Sequence, residues 1–155
     1  MTASLRPFVQ ADLEAIAALI GETLTEFGFA SEIGGLRADL AEAELRYSGP
    51  RAGFWVAQDA AELVGCVAIR PKDDDTCELK RLYLRRDARG RGLGQRLYAH
   101  AEAFAREAGY HRIWLDSSRR FAAARRLYER NGLVLLRELD NDWEDNVYEK
   151  SLLAP

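Results

Sequence analysis

The 155 residues of this chain predict an α/β fold: one mixed sheet with helices on both faces. Three observations carry that reading. Short apolar runs joined by polar turns fill the middle of the first half, the pattern of antiparallel strands. A glycine-rich loop then joins a strand to an amphipathic helix and a further strand, a βαβ unit that requires a parallel pair. No repeat, low-complexity tract or linker interrupts the pattern, so residues 1–155 read as a single domain.

Each element has a local cause. Leu5 and Phe8 mark a short apolar start, and Gln10 to Asp12 hold the beginning of a helix whose Leu13, Ile16, Ala17, Ile20, Leu24 and Phe27 recur at steps of three and four. Gly28 closes it. Gly34 and Gly35 open a shorter helix carrying Leu36, Leu40 and Ala43, and Gly49-Pro50 breaks the chain. The runs 54–57 and 63–69, separated by 58–62, read as a hairpin; 71–76 is a polar turn; a third strand spans 78–85. After the glycine loop, Leu93, Leu97, Ala101, Phe104 and Ala108 share one helix face, which Gly109 ends. A strand at 112–115, a helix at 122–130 stopped by Asn131-Gly132, and strands at 133–137 and 146–152 around the acidic turn 140–145 complete the order β-α-α-β-β-β-α-β-α-β-β. A right-handed crossover puts the glycine loop at the carboxyl end of the 78–85 strand, where open sheets bind ligands.

Composition excludes several classes. No apolar run approaches the roughly 20 residues of a membrane span, and the N-terminus has no apolar signal-peptide core, so a cytoplasmic location without membrane partners is expected. Cys66 and Cys77 are too few for a disulfide framework and have no metal-ligand spacing with His100 or His111; buried thiols and no metal are expected. The net charge of −3 hides an asymmetry: residues 78–130 hold 14 Lys and Arg against 6 Asp and Glu. Such a basic half suits a polyanionic ligand. A nucleic-acid partner is not expected, because the chain is acidic overall and the arginines lack interleaved aromatics for stacking.

The loop Arg89-Gly90-Arg91-Gly92-Leu93-Gly94-Gln95 is the most specific feature. Glycines allow positive φ and close approach of main chain to a ligand. The helix that follows offers unpaired N–H groups and the positive end of its dipole to an anion. Arg89 and Arg91 add charged donors at the rim. Together they suit a phosphate or pyrophosphate. No Gly-Lys-Ser/Thr follows, as a Walker loop needs, and the glycine spacing misses the dinucleotide fingerprint. One further irregularity lies upstream. Under strict alternation Leu79 faces one side of the sheet, while Leu82 and Leu84 face the other. A bulge near Arg81 explains the step, and so does a strand buried on both faces.

These segments resemble the GCN5-related N-acetyltransferases. The loop matches the family's Arg/Gln-x-x-Gly-x-Gly/Ala motif, and Glu78-Leu79-Lys80-Arg81-Leu82-Tyr83-Leu84 looks like its fourth strand. The segment from Ala124 to Leu133 looks like its Ala-x-x-Leu-Tyr-x-x-x-Gly-Phe signature, with Leu133 in place of Phe. The resemblance covers about residues 54–152. It implies the acyl-CoA N-acyltransferase fold, acetyl-CoA as cosubstrate, and direct transfer of an acetyl group to an amine. Coenzyme A then lies where the 78–85 strand diverges from 112–116, held by Leu82, Tyr83, Leu84 and residues 89–95. Freed amides at Leu82 to Leu84 stabilise the developing oxyanion, Glu78 is the candidate base, directly or through water, and Tyr128 the candidate acid. One departure stands out: where many members carry a coenzyme-contacting Asn, this chain has Phe121.

By the same resemblance the acceptor enters between the N-terminal helices and the late hairpin. Phe27, Phe29, Trp55, Tyr83 and Trp143 are expected wall residues, with Glu26, Asp140, Asp142 and Asp145 available to attract a cationic amine. A homodimer through the late strands is common in the family. The rival reading is a module that senses acyl-CoA without turning it over, which has no need of Glu78 or Tyr128.

Overall fold

A computed structural model describes residues 2–139, 143 and 145–153. Seven strands form one sheet: β1 (Ser4–Pro7), β2 (Gly53–Asp59), β3 (Glu62–Pro71), β4 (Thr76–Leu84), β5 (Arg112–Ser117), β6 (Val134–Glu138) and β7 (Asn146–Ser151). The helices are α1 (Leu13–Glu26), α2 (Ile33–Ala41), α3 (Ala43–Arg46), α4 (Leu93–Glu107) and α5 (Ala122–Arg130). The strand order is β1-β2-β3-β4-β5-β7-β6. Only β4 and β5 run parallel, as expected of the βαβ unit.

Two apolar layers sandwich the sheet. Val67, Ile69, Leu79, Ile113 and Leu115 pack with Leu93, Leu97, Ala101 and Leu127 from α4 and α5 on one face. Val56, Cys66 and Ala68 pack with Ile16, Ile20, Leu24, Leu36 and Leu40 from α1 and α2 on the other. The asymmetric apolar stripes read in the sequence are these two contact faces. Both cysteines are buried, and desolvation pushes each thiol up to about 12.

Helix ends follow the local signals. Asp12 accepts the N–H of Val9 at 2.9 Å and pairs with Arg6 at 2.8 Å, tying β1 to the entry of α1. At the exit of α5, Gly132 takes φ +87°; its N–H reaches Glu129 O and the next N–H, of Leu133, reaches Tyr128 O. That paired closure releases the chain into β6. The second helix departs from expectation. It starts at Ile33 rather than at the glycines, both of which lie in its first turn, and Ala43 belongs to the separate α3. Burial of Leu36 and Leu40 outweighs a propensity cost of about 1 kcal/mol per glycine.

The decisive feature lies in β4. It pairs with β5 only at Thr76↔Arg112, Cys77↔Ile113 and Glu78↔Trp114. Its register with β3 runs Ala68↔Lys80 and then Cys66↔Tyr83, so Val67 alone opposes both Arg81 and Leu82. The extra residue is a bulge, with Arg81 at φ +57°. It returns Leu82 and Leu84 to the face that holds Leu79. The face assignment from strict alternation is thereby corrected, and of the two explanations for the step the bulge is the one present. No helix among the described residues is long and apolar enough to cross a membrane.

Candidate active site

Past Leu84 the chain makes a short helical turn, Arg86–Ala88, whose Ala88 is buried, and then swings outward through the glycines. Gly90 and Gly92 take φ of +77° and +82°, and a Cβ built on either meets nothing within 4 Å. Gly92 is the N-terminal cap of α4, without a side-chain bond to the first turn. The first N–H groups of a helix have no intrahelical partner, so those of α4 lie beside an exposed loop whose glycines leave open space.

The predicted contributors divide by what their side chains do. Gly90, Arg91 and Gly92 are exposed on the open loop. Leu93 is buried in the core, leaving only its amide for a ligand. Gly94 serves packing, since a Cβ there lies 3.2 Å from Leu84 Cδ1. Gln95 exchanges amide hydrogen bonds of 2.9 and 2.8 Å with Asn131, clamping the start of α4 to the end of α5. Arg89 is not a free donor at the rim. Its guanidinium pairs with Glu26 at 3.0 Å and donates to Thr23 Oγ1 at 3.1 Å, so it anchors the loop to α1.

Where β4 parts from β5 a cleft opens. Leu82, Tyr83 and Leu84 form its floor, Asp116 to Ser118 and Ala124 one wall, and Thr23 and Phe27 of α1 the other. Beyond Glu78 the peptide groups of β4 on the β5 side have lost their strand partner. Tyr128 lines the cleft from α5, although only 5% of it is exposed. Burial raises its phenol well above the ordinary value, with Tyr83, Tyr148 and Asp116 adding to the shift. Its ring tilts against Tyr148 at 5.7 Å.

Glu78 is the last β4 residue paired with β5. Its Oε1 accepts Arg70 Nε at 2.9 Å, and it flanks the cleft rather than lining it. The bulge itself is held by charge. Arg81 pairs with Asp39 of α2 at 3.0 Å, and the Tyr47 hydroxyl donates to the same carboxylate at 2.9 Å. Burial alone raises the Asp39 carboxyl; Arg81, the Tyr47 hydroxyl and Lys80 bring it below the usual range.

Four aromatics surround Phe121, which sits at the N-terminal cap of α5: Phe27 at 5.1 Å, Phe29 at 5.6 Å, Tyr83 at 6.2 Å and Trp143 at 6.3 Å. Phe121 thus joins α5 to the end of α1 through ring packing. Phe27, Tyr83 and Trp143 line the cleft as expected, and Phe29 backs them from the core. Trp55 does not belong here. It packs with His100 and Phe104 of α4 on the opposite face, at 4.8 Å from each. The two described acids of the expected set are already engaged, Glu26 by Arg89 and Asp145 by Arg119 at 3.3 Å. Asp140 and Asp142 lie outside the described residues. Sequence reasoning overlooked Lys80, which also lines the cleft. The signal was available, because period-two alternation puts it on the same face as Glu78.

An open glycine turn at a helix mouth, leading into a bulged strand edge and an apolar wall, fits a long ligand with a pyrophosphate at one end. No group of three or more His, Cys, Asp or Glu among the described residues is placed to hold a metal ion. Residues 17–133 match the family model described as Acetyltransferase (GNAT) family. The chain is 34% identical over 133 residues to the uncharacterized N-acetyltransferase YjgM of Escherichia coli K12, covering 83% of this chain and 80% of that protein. A crystal structure of a GNAT-family acetyltransferase from Staphylococcus aureus Mu50 superposes with a TM-score of 0.89 at 19% identity, over 98% of this chain and 100% of that one. The PaiA N-acetyltransferase of Thermoplasma acidophilum, solved in complex with coenzyme A, superposes with a TM-score of 0.76 at 21% identity, over 97% and 99%.

Proposed function

The chain belongs to the acetyltransferase (GNAT) family, and on that premise we propose how its residues move an acetyl group from acetyl-coenzyme A to a primary amine by direct attack. The observation that carries the reading is the bulge at Arg81, placed where β4 leaves β5 and one turn before an open helix mouth.

Amides of residues 90–95, with the Arg91 side chain, take the pyrophosphate of acetyl-coenzyme A, which is the cosubstrate. Unpaired peptide groups at Leu82 to Leu84 hold its pantetheine arm, and one of their N–H groups meets the thioester oxygen as charge gathers there. Ala124 and Tyr128 close the far wall. The acceptor amine must shed a proton to attack. Glu78 takes it through a water molecule, because Arg70 occupies one carboxylate oxygen and the cleft passes beside the residue. Tyr128 donates to the departing sulfur. Its raised phenol keeps the proton at every working pH, so the donor form is always present. Val134 and Leu136, 61% and 52% exposed on the edge strand β6, support a homodimer paired through the late strands.

The tie between Glu78 and Arg70 also favours a second reading, a module that binds acetyl-coenzyme A without turnover. Two measurements separate them. Calorimetric titration with coenzyme A is expected to show saturable binding, and thiol release from acetyl-coenzyme A is expected with at least one class of primary amine. Binding without release across a broad amine panel selects the sensing module; no binding at all removes both.

A further inference from the structure

Three cations line the cleft, and the fold neutralises two of them. Arg81 is paired with Asp39 at 3.0 Å and Arg89 with Glu26 at 3.0 Å. The Lys80 side chain makes neither an ion pair nor a hydrogen bond among the described residues. The acids whose charge reaches it, Glu78 and Asp39, are engaged by Arg70 and Arg81. Burial draws the Lys80 ammonium below its ordinary value, and the neighbouring Arg81 and Arg70 add to that. A half-buried ammonium without a partner is costly, and an anion brought into the cleft relieves the cost.

Position says which anion. Lys80 stands immediately before the bulge, on the face of β4 away from Leu79, two residues from the proposed base Glu78. Their Cα atoms are roughly 7 Å apart along the strand, so a carboxylate beside the cleft and an ammonium in its lining share one face of β4. The complement of that pair is a molecule with an amine and one negative charge a few bonds away. A polycation is served less well among the described residues, since Glu26 and Asp145 already pair with arginines.

Building on the acetyl-transfer reading, we propose that Lys80 receives the carboxylate of the acceptor, and that the acceptor is an amino carboxylate such as a free α-amino acid. The chemistry stays balanced. The amine nitrogen forms a bond to the acetyl carbon, the carbon–sulfur bond breaks with its electron pair leaving on sulfur, and the amine proton passes by way of water to Glu78.

The test uses matched acceptors: free amino acids, their carboxamides, the corresponding decarboxylated amines, aminophosphonates and polyamines, each with saturating acetyl-coenzyme A. The free acids are expected to exceed their carboxamides in kcat/KM by at least about 10-fold, the worth of one charge-assisted hydrogen bond. Lys80→Gln is expected to erase that preference through KM rather than kcat, and Lys80→Arg to retain part of it. Calorimetry with coenzyme A and the thermal midpoint show whether each variant is folded. Equal turnover of acids and carboxamides, a preference for aminophosphonates or polyamines, or an unchanged preference in Lys80→Gln overturns the inference while leaving acetyl transfer intact. No thiol release with any amine, coenzyme A still binding, overturns both.

Discussion

Tyr128 holds its proton more tightly than an ordinary phenol because burial penalises the phenolate, and nearby Tyr83, Tyr148 and Asp116 penalise it further. The sign matters for its role. A group raised in this way stays protonated below its ordinary value near 10, so it cannot cause a loss of activity between pH 7 and 9. Tyr128→Phe is therefore expected to lower kcat by about 100-fold, the lower end of general acid–base contributions, with little change in coenzyme A affinity and no change in the alkaline limb. Steady-state kinetics over that pH range checks both parts; an alkaline limb that vanishes in the variant contradicts the assignment. At this scale the sequence revealed residues whose chemistry is local. Gly90 and Gly92 were legible because positive φ and a helix mouth leave a pattern in six residues. Arg89 was legible only as a cation. That its partner is Glu26, 63 positions away, depends on how α1 crosses the loop. Lys80 escaped notice because a lysine in a strand ordinarily lies in solvent.

Among elements, β4 carries the most consequence, and its bulge is fixed from outside the strand. Arg81 accepts a left-handed φ that costs a non-glycine residue roughly 1–2 kcal/mol. Asp39 and Tyr47 from the α2 and α3 region hold it there. The step in the Leu79, Leu82, Leu84 pattern was compatible with this bulge or with a strand buried on both faces, and the anchor was invisible, because nothing in residues 36–47 marks Asp39 as a buried partner rather than a solvated acid. Removing this buried cation leaves the carboxylate with only the more exposed Arg46 at 3.2 Å and the Tyr47 hydroxyl, so Arg81→Ala is expected to destabilise the fold by about 3 kcal/mol. The pH dependence has a definite sign. Burial opposes ionisation of Asp39, but its partners win and its carboxyl falls below the usual range. Its contribution is then fully present above the unfolded-state value of about 4 and is lost as pH falls through the lower folded-state value. Denaturant unfolding of the wild type should weaken on acidification below about pH 4, and Arg81→Ala should lose most of that dependence. An unaltered acid profile in the variant argues that the pair does not hold the bulge.

For the molecule as a whole, the sequence made the two faces legible and left the strand order hidden. Periodicity marked α1 and α4 as one-sided helices, and the sheet between them follows from that. It does not say that β7 inserts between β5 and β6, since both late strands carry apolar residues; burial decides, with Val147 and Tyr148 covered and Val134 and Leu136 left at the edge. Charge was similarly half readable. The excess of cations in residues 78–130 is real, yet seven of those 14 pair with acids among the described residues, including Asp39, Glu26, Glu62, Asp145 and Glu149 from outside the segment. What remains near the helix mouth is Arg91, Arg96 and a set of main-chain amides, so affinity for coenzyme A should reside in the pyrophosphate. A ligand that binds only the folded chain adds about 2.7 kcal/mol at 100 times its Kd. For 155 residues that raises the thermal midpoint by roughly 5–10 °C. Coenzyme A is expected to give a shift of that size, whereas pantetheine, which keeps the arm that meets β4 but lacks the phosphates, should give little at the same concentration. Equal shifts from both would locate binding at the bulge and remove the glycine loop from the site.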